Sequence, residues 1–189
     1  MFDEDLTSLY PSIIMTINIG KETLVARIID ADDRNNRLGL NDLHKKDPDE
    51  ELIIENAKRK RTKVTVNNLI GFIENNNWAI SANGVMFRTD RRSVLATILD
   101  KWFDERVEYK NSMKKAYKSG NEELGAAFHM KQYTMKILLN SLYGATALGS
   151  FRYGNVILSE AITLSGQRII QESALCANKH MNKVIKEKI

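Results

Sequence analysis

A chain of 189 residues, 43% hydrophobic and 28% charged with a single cysteine, is long enough to bury a core without disulfides or a structural metal. Its 28 Lys+Arg against 24 Asp+Glu leave a formal net charge of +4, which permits a polyanionic partner without demanding one. No apolar run approaches the roughly 18 residues needed to cross a bilayer, and the acidic N-terminus lacks the layout of an export signal, so a soluble, unexported protein in a reducing cytoplasm is expected.

In chain order, Phe2 to Thr7 reads as a short strand ending at or just past Asp5. Pro11 then suits the first turn of a helix carrying Ile13, Ile14 and Ile17. Thr23 to Asp30 is β-branched and apolar, a second strand of the same sheet. From Asp32 to Lys63 the chain is polar and reads as a surface excursion with one short helix; its basic run Lys58-Arg59-Lys60-Arg61 is either a solvated loop or a contact for a DNA backbone. Val64 to Val66 pairs briefly, and Val66 to Asn75 forms a short helix. Trp78 to Ser81 and Val85 to Arg88 flank Asn83-Gly84, a pair suited to a two-residue hairpin turn.

Between Ser93 and Lys118 apolar residues recur with the helical period, at Leu95, Ile98, Trp102, Tyr109 and Met113 among others. Ser119-Gly120-Asn121 interrupts them, and Asn121 caps a second helix that carries Glu122 and Glu123 in its first turn and runs to about Tyr143. So short a link makes the two helices antiparallel neighbours about 35 to 40 Å long. Pairing across a tip near Gly120 sets Arg106 beside residue 134 and Lys136 within about a turn of Arg106. Ile157 to about Lys186 is a third long helix, with Leu158, Ile162, Ile169, Leu175 and Ile185 apolar and Cys176 expected as a small buried hydrophobe. The fold class expected is α+β, mainly helical, with a small antiparallel sheet.

Two stretches carry chemistry. Lys136-Ile137-Leu138-Leu139-Asn140-Ser141-Leu142-Tyr143-Gly144 sets a cation, an amide and an aromatic ring on one helical face, with the leucines and Ile137 mostly on the buried side. Arg106, Lys110 and Lys114 make a cationic stripe on the preceding helix. Near the start, Asp5-Leu6-Thr7-Ser8-Leu9-Tyr10-Pro11-Ser12-Ile13-Ile14 puts an acid at a strand end before a Tyr-Pro turn. His44 and His129 have no partner at metal-ligand spacing, and His180 sits among lysines near the C-terminus.

The stretches at 5–14 and 136–144 resemble, in that order, motifs A and B of the family B DNA polymerases, most nearly the T-even bacteriophage type. The resemblance implies a partial palm at 1–92, a fingers helical hairpin at 93–146 and a palm helix at 147–189. It implies that Asp5 is catalytic and binds Mg²⁺ in a two-metal site, and that Leu6, Ser8, Leu9, Tyr10, Arg106, Lys110, Lys136 and Asn140 bind a dNTP. Tyr143 and Gly144 would contact the nascent base pair and template. Glu4 departs from the apolar residue usual before the motif A aspartate. No aspartate follows Asp104, so the second catalytic carboxylate of motif C is expected from outside this chain, as are the thumb and exonuclease. The expected partners are template-primer DNA, dNTP and other polymerase pieces, with no membrane, in the cytoplasm of a phage-infected bacterium. By itself the chain is expected to be inactive. Two other readings stay open: a non-catalytic helical nucleic-acid-binding module, and a sugar-nucleotide transferase using Asp3-Glu4-Asp5 as a metal motif.

Overall fold

The computed structural model describes residues 8–29 and 38–188, without the side chains of 184–188. The expected strand at 2–7, with Asp3, Asp5 and Leu6, lies outside the described residues. The elements in order are α1 (Leu9–Ile17), β1 (Leu24–Ile28), α2 (Leu40–Leu43), β2 (Glu51–Asn56), β3 (Arg61–Thr65), α3 (Val66–Asn75), β4 (Ala79–Ile80), β5 (Val85–Phe87), α4 (Val94–Lys118), α5 (Glu122–Thr146) and α6 (Val156–Lys188). The chain is α+β and mainly helical with a small antiparallel sheet, as expected from the sequence.

The five strands pair antiparallel in the order β3-β2-β1-β5-β4. One side of this sheet closes on α2 and α3 through Leu38, Leu43, Leu52, Leu69 and Ile73, all buried. A second core gathers Ile13 and Ile14 of α1, Leu95 and Leu99 of α4, Leu139 and Leu142 of α5 and Leu158 and Ile162 of α6 around Phe87. Helix α1 is therefore the hub on which the three long helices meet.

Buried Asn18 fixes the geometry between α1 and α4. It ends α1 in the left-handed region at φ 61°, where the short polar side chain of asparagine is tolerated. Its amide nitrogen donates to the carbonyls of Arg88 and Arg91, both at 2.8 Å, and its amide oxygen accepts from the Ser93 N–H at 2.8 Å. Ser93 in turn caps α4 by accepting from Ala96 N–H, while its hydroxyl donates to the Ile19 carbonyl. The start of the helical hairpin is thus bolted to the end of α1.

Helices α4 and α5 are each 25 residues, about 37 Å at 1.5 Å per residue. Gly120 turns the chain at φ 74°, and the Asn121 side chain caps α5 by accepting from Leu124 N–H at 3.0 Å. The register is the expected one. Tyr109 stacks near Phe128 with centroids 6.4 Å apart, and Lys131 Nζ lies 5.7 Å from the Tyr109 ring. At the tip Tyr117 crosses Gly125 so closely that a Cβ there would stand 2.5 Å from the ring.

Four expectations are corrected. The polar stretch before Lys63 is not a plain surface excursion: Glu51–Asn56 and Arg61–Thr65 pair along five positions, with Lys58 to Lys60 in their turn. The hairpin at Asn83-Gly84 has a longer loop than two residues, because Ser81 N–H bonds the Val85 carbonyl and only Gly84 takes positive φ. Ile137 and Leu138 are exposed on α5, whose buried edge is Leu139 and Leu142. Cys176 is exposed, like its neighbour Leu175, because the described part of α6 beyond Gly166 has little packed against it.

Candidate nucleotide-binding junction

The turn before α1 is where the two sequence stretches meet. Ser8 occupies the left-handed region at φ 58° and ψ 40° without using its side chain as a cap. A non-glycine residue held there costs about 1 kcal/mol and needs surrounding structure to keep it. Its carbonyl accepts from Ser12 N–H at 3.0 Å, and Leu9 and Tyr10 open the helix, where the first N–H groups have no helical acceptor. Pro11 contributes no N–H to satisfy.

Arg106 reaches this turn from α4. Its guanidinium donates from Nη1 to Ser8 Oγ at 3.3 Å. The residue is only 7% exposed, and its Nε has no hydrogen-bond partner among the described residues. A buried cation with donors to spare is costly unless something anionic completes its shell. The arrangement therefore suits a negatively charged group entering between α1 and α4.

Tyr10 and Tyr143 form the second contact of the junction, stacked with centroids 4.3 Å apart and planes 23° from parallel. The Tyr143 hydroxyl is 2.9 Å from Thr163 Oγ1, and that hydroxyl also donates to the Ser159 carbonyl. Tyr143 is thereby held between α1 and α6. Gly166 makes room for Tyr10: a Cβ there would come within 3.1 Å of the Tyr10 ring. Thr163 and Gly166 escape sequence reasoning, because a threonine and a glycine inside a long helix carry no signal beyond propensity.

The remaining expected residues divide. Leu9 is partly buried and packs on the α-helical core beside the two tyrosines. Lys110 is half-buried one turn beyond Arg106. Lys136, Asn140 and Gly144 are exposed on α5, and an added Cβ at Gly144 would meet nothing within 4 Å. No side chain of Lys110, Lys136 or Asn140 forms a hydrogen bond or ion pair within the described residues. The structure thus joins Ser8 to Arg106 and Tyr10 to Tyr143, and leaves Lys136 and Asn140 open toward solvent. Asp5 and Leu6 lie outside the described residues, and among those described no three His, Cys, Asp or Glu side chains converge as a metal site.

The sequence profile of DNA polymerase family B matches residues 4–189. The chain is 27% identical to the DNA-directed DNA polymerase of Escherichia phage RB69 over 95% of its own length and 22% of that protein. It is 35% identical to the DNA-directed DNA polymerase of Enterobacteria phage T4 over 45% of this chain and 10% of that one. With the DNA polymerase catalytic subunit of human herpesvirus 7 it shares 27% identity over 88% of this chain and 13% of the relative. The family B DNA polymerase of the archaeon Pyrobaculum calidifontis has a similar fold, with a TM-score of 0.60 at 16% identity, covering 93% of this chain and 17% of that one. The chain thus spans about a fifth of the length of the RB69 relative.

Proposed function

The chain belongs to DNA polymerase family B, and we propose from that premise that it is the part of a DNA polymerase that receives the incoming dNTP. In this reading residues 1–92 and 147–189 contribute to a palm, and 93–146 form the fingers. The observation that carries it is the buried Arg106 guanidinium beside Ser8, with a nitrogen left over.

A triphosphate is the anion that such a guanidinium fits, since its fork matches phosphate oxygens and pairs with them more strongly than a neutral donor does. The open N–H groups of Leu9 and Tyr10 at the start of α1 add donors on the same side. Lys110 and Lys136 would supply further positive charge, and Asn140 would orient the nucleotide. The Tyr10–Tyr143 stack offers a flat apolar floor for the sugar and base pair, with template-primer DNA running past Gly144. By neutralising the phosphates where charge develops, these side chains would favour departure of pyrophosphate.

Asp5 is the chain's expected ligand for Mg²⁺, and a hard carboxylate oxygen suits that ion. A second carboxylate would come from outside these residues. When bound, the metal would lower the barrier to attack by the primer hydroxyl.

The test is a titration of dATP into the chain with Mg²⁺ present, followed by calorimetry. Arg106→Ala is expected to weaken binding about 10- to 100-fold, the loss of a charge-assisted contact of roughly 1.5 to 3 kcal/mol, and Arg106→Lys to recover part of it. Unchanged affinity in Arg106→Ala would overturn the reading. If Asp5→Ala also left metal-dependent binding intact, a nucleic-acid-binding module without catalysis would replace it.

A further inference from the structure

We propose that the cleft between the β2–β3 turn and the start of α6 is a binding site for the phosphodiester backbone of a DNA strand. The cavity measures about 540 Å³, and Arg27, Glu55, Asn56, Arg59, Arg61 and Asn155 line it. It shares no lining residue with the Ser8–Arg106 junction, so the inference goes beyond the nucleotide site and does not rest on it.

Three guanidinium groups face one carboxylate, an excess of two positive charges, and Lys58 and Lys60 extend the same turn. Glu55 is engaged already: its Oε2 lies 2.6 Å from Arg27 Nη2 and also accepts from Arg27 Nε at 2.8 Å, while Arg61 Nε stands 3.7 Å from Oε1. That pairing holds Arg27 in place and leaves Arg59, without an ion pair among the described residues, as a free fork at the mouth.

The far wall of the cleft is the start of α6, with Asn155 and Ile157. Asn155 opens α6, a helix of 33 residues, with its side chain accepting from Ile157 N–H at 2.9 Å and its carbonyl from Leu158 and Ser159. The positive end of the helix dipole thus borders the cleft that the arginines line. Three residues earlier in the chain lies exposed Arg152, whose carbonyl accepts from Lys21 Nζ at 3.0 Å.

Arg59 and Arg61 are exposed and Arg27 is half-buried, so a free phosphate would stay largely hydrated there. A strand that meets several cations at once gains by releasing counterions at each contact. Guanidinium forks, amide side chains and a helix start are the groups that position a nucleic-acid backbone without reading sequence. The turn itself is preorganised, since Asn56 Oδ1 accepts from the N–H groups of Lys58 and Lys60 at 2.9 and 3.0 Å.

The test is fluorescence anisotropy with end-labelled single-stranded and duplex DNA of about 20 nucleotides, between about 50 and 200 mM salt. Arg59→Ala/Arg61→Ala is expected to weaken binding about tenfold at the low salt. It should also flatten the plot of log affinity against log salt by about 1.4 for the single strand or 1.8 for the duplex. Arg59→Gly, which relieves the left-handed strain at φ 61°, should flatten it by about half as much. A control removing two remote cations, Lys45→Ala/Lys179→Ala, should change neither quantity. The loss should persist in an Arg106→Ala background, so a failure of the nucleotide reading, seen in the dATP titration, is separable. Equal binding by the double variant, an equal loss in the control, or no measurable binding by the parent chain would overturn the proposal. Protection of Arg59 and Arg61 from phenylglyoxal by inorganic phosphate as complete as that by the oligonucleotide would overturn it in favour of a free-anion site.

Discussion

The turns at Asn56–Lys60 and Ser81–Val85 share one backbone design and differ in what occupies its left-handed position. In each, the first residue's N–H bonds the fifth residue's carbonyl, at 3.0 Å from Asn56 to Lys60 and 2.9 Å from Ser81 to Val85. In each, the fourth N–H returns to the first carbonyl, and the fourth residue has positive φ, 61° at Arg59 and 76° at Gly84. This is a three-residue loop closed by a left-handed residue, a position where glycine is the usual occupant. At Gly84 space requires glycine too, because a Cβ would meet Ile28 and Leu38 at 3.1 Å. Arg59 is exposed, so only the backbone opposes it. Pairing of the strands sets the turn; packing selects the residue in one hairpin, and in the other an arginine is kept where the backbone disfavours it.

The comparison breaks most visibly at Gly84. Gly84→Ala is expected to cost about 2 to 4 kcal/mol, from roughly 1 for the left-handed conformation and the remainder from crowding against Ile28 and Leu38. Urea unfolding measures it as a fall in midpoint at constant slope. A cost near 1 kcal/mol would mean that the contacts around Gly84 yield, and that the two turns differ less than their surroundings imply. The reverse exchange is smaller. Arg59→Gly is expected to stabilise the chain by about 0.5 to 1 kcal/mol, since strain is relieved at some entropic cost, raising Tm by about 1 to 4 °C. Destabilisation instead would show that the arginine side chain is tied to the fold and not available to a ligand.

These two turns also mark how far the sequence could be read. Asn83-Gly84 between apolar runs announces its hairpin, although not the loop length. Arg59 announces nothing, because a basic run looks like a solvated loop, and β3 is Arg-Thr-Lys-Val-Thr, mostly exposed and without the apolar alternation that marks a half-buried strand. The long helices were legible from period and caps, down to the register that puts Tyr109 beside Lys131. Their partners were not: the same periodicity marks Leu175 and Leu158 as apolar, yet one is 59% exposed and the other fully buried. At the junction, spacing singled out Arg106 and the motif resemblance singled out Ser8. Their contact spans 98 positions and depends on Asn18 bolting α4 to α1, which no local pattern encodes.

Glu55 gives the smallest and most local test of the basic turn. Its carboxyl titrates below the ordinary value of 4.5, chiefly because Arg27 donates to it, with the charges of Arg27, Arg61 and Arg59 acting in the same direction against partial desolvation. A carboxyl lowered in the folded state stabilises the fold fully above the unfolded value near 4.5, and that contribution fades as pH falls through the lower folded value. Carboxyl carbon shifts followed by NMR across this acid range should therefore show Glu55 moving upward in three variants of graded size. Arg27→Ala should raise it most, Arg61→Ala less and Arg59→Gly least, in the order of their influence. Bound oligonucleotide should also raise it, because phosphates placed among the three arginines screen the charges that hold the carboxyl down. If Glu55 titrated identically with and without saturating oligonucleotide, the strand would lie elsewhere, and the left-handed arginine would need another reason.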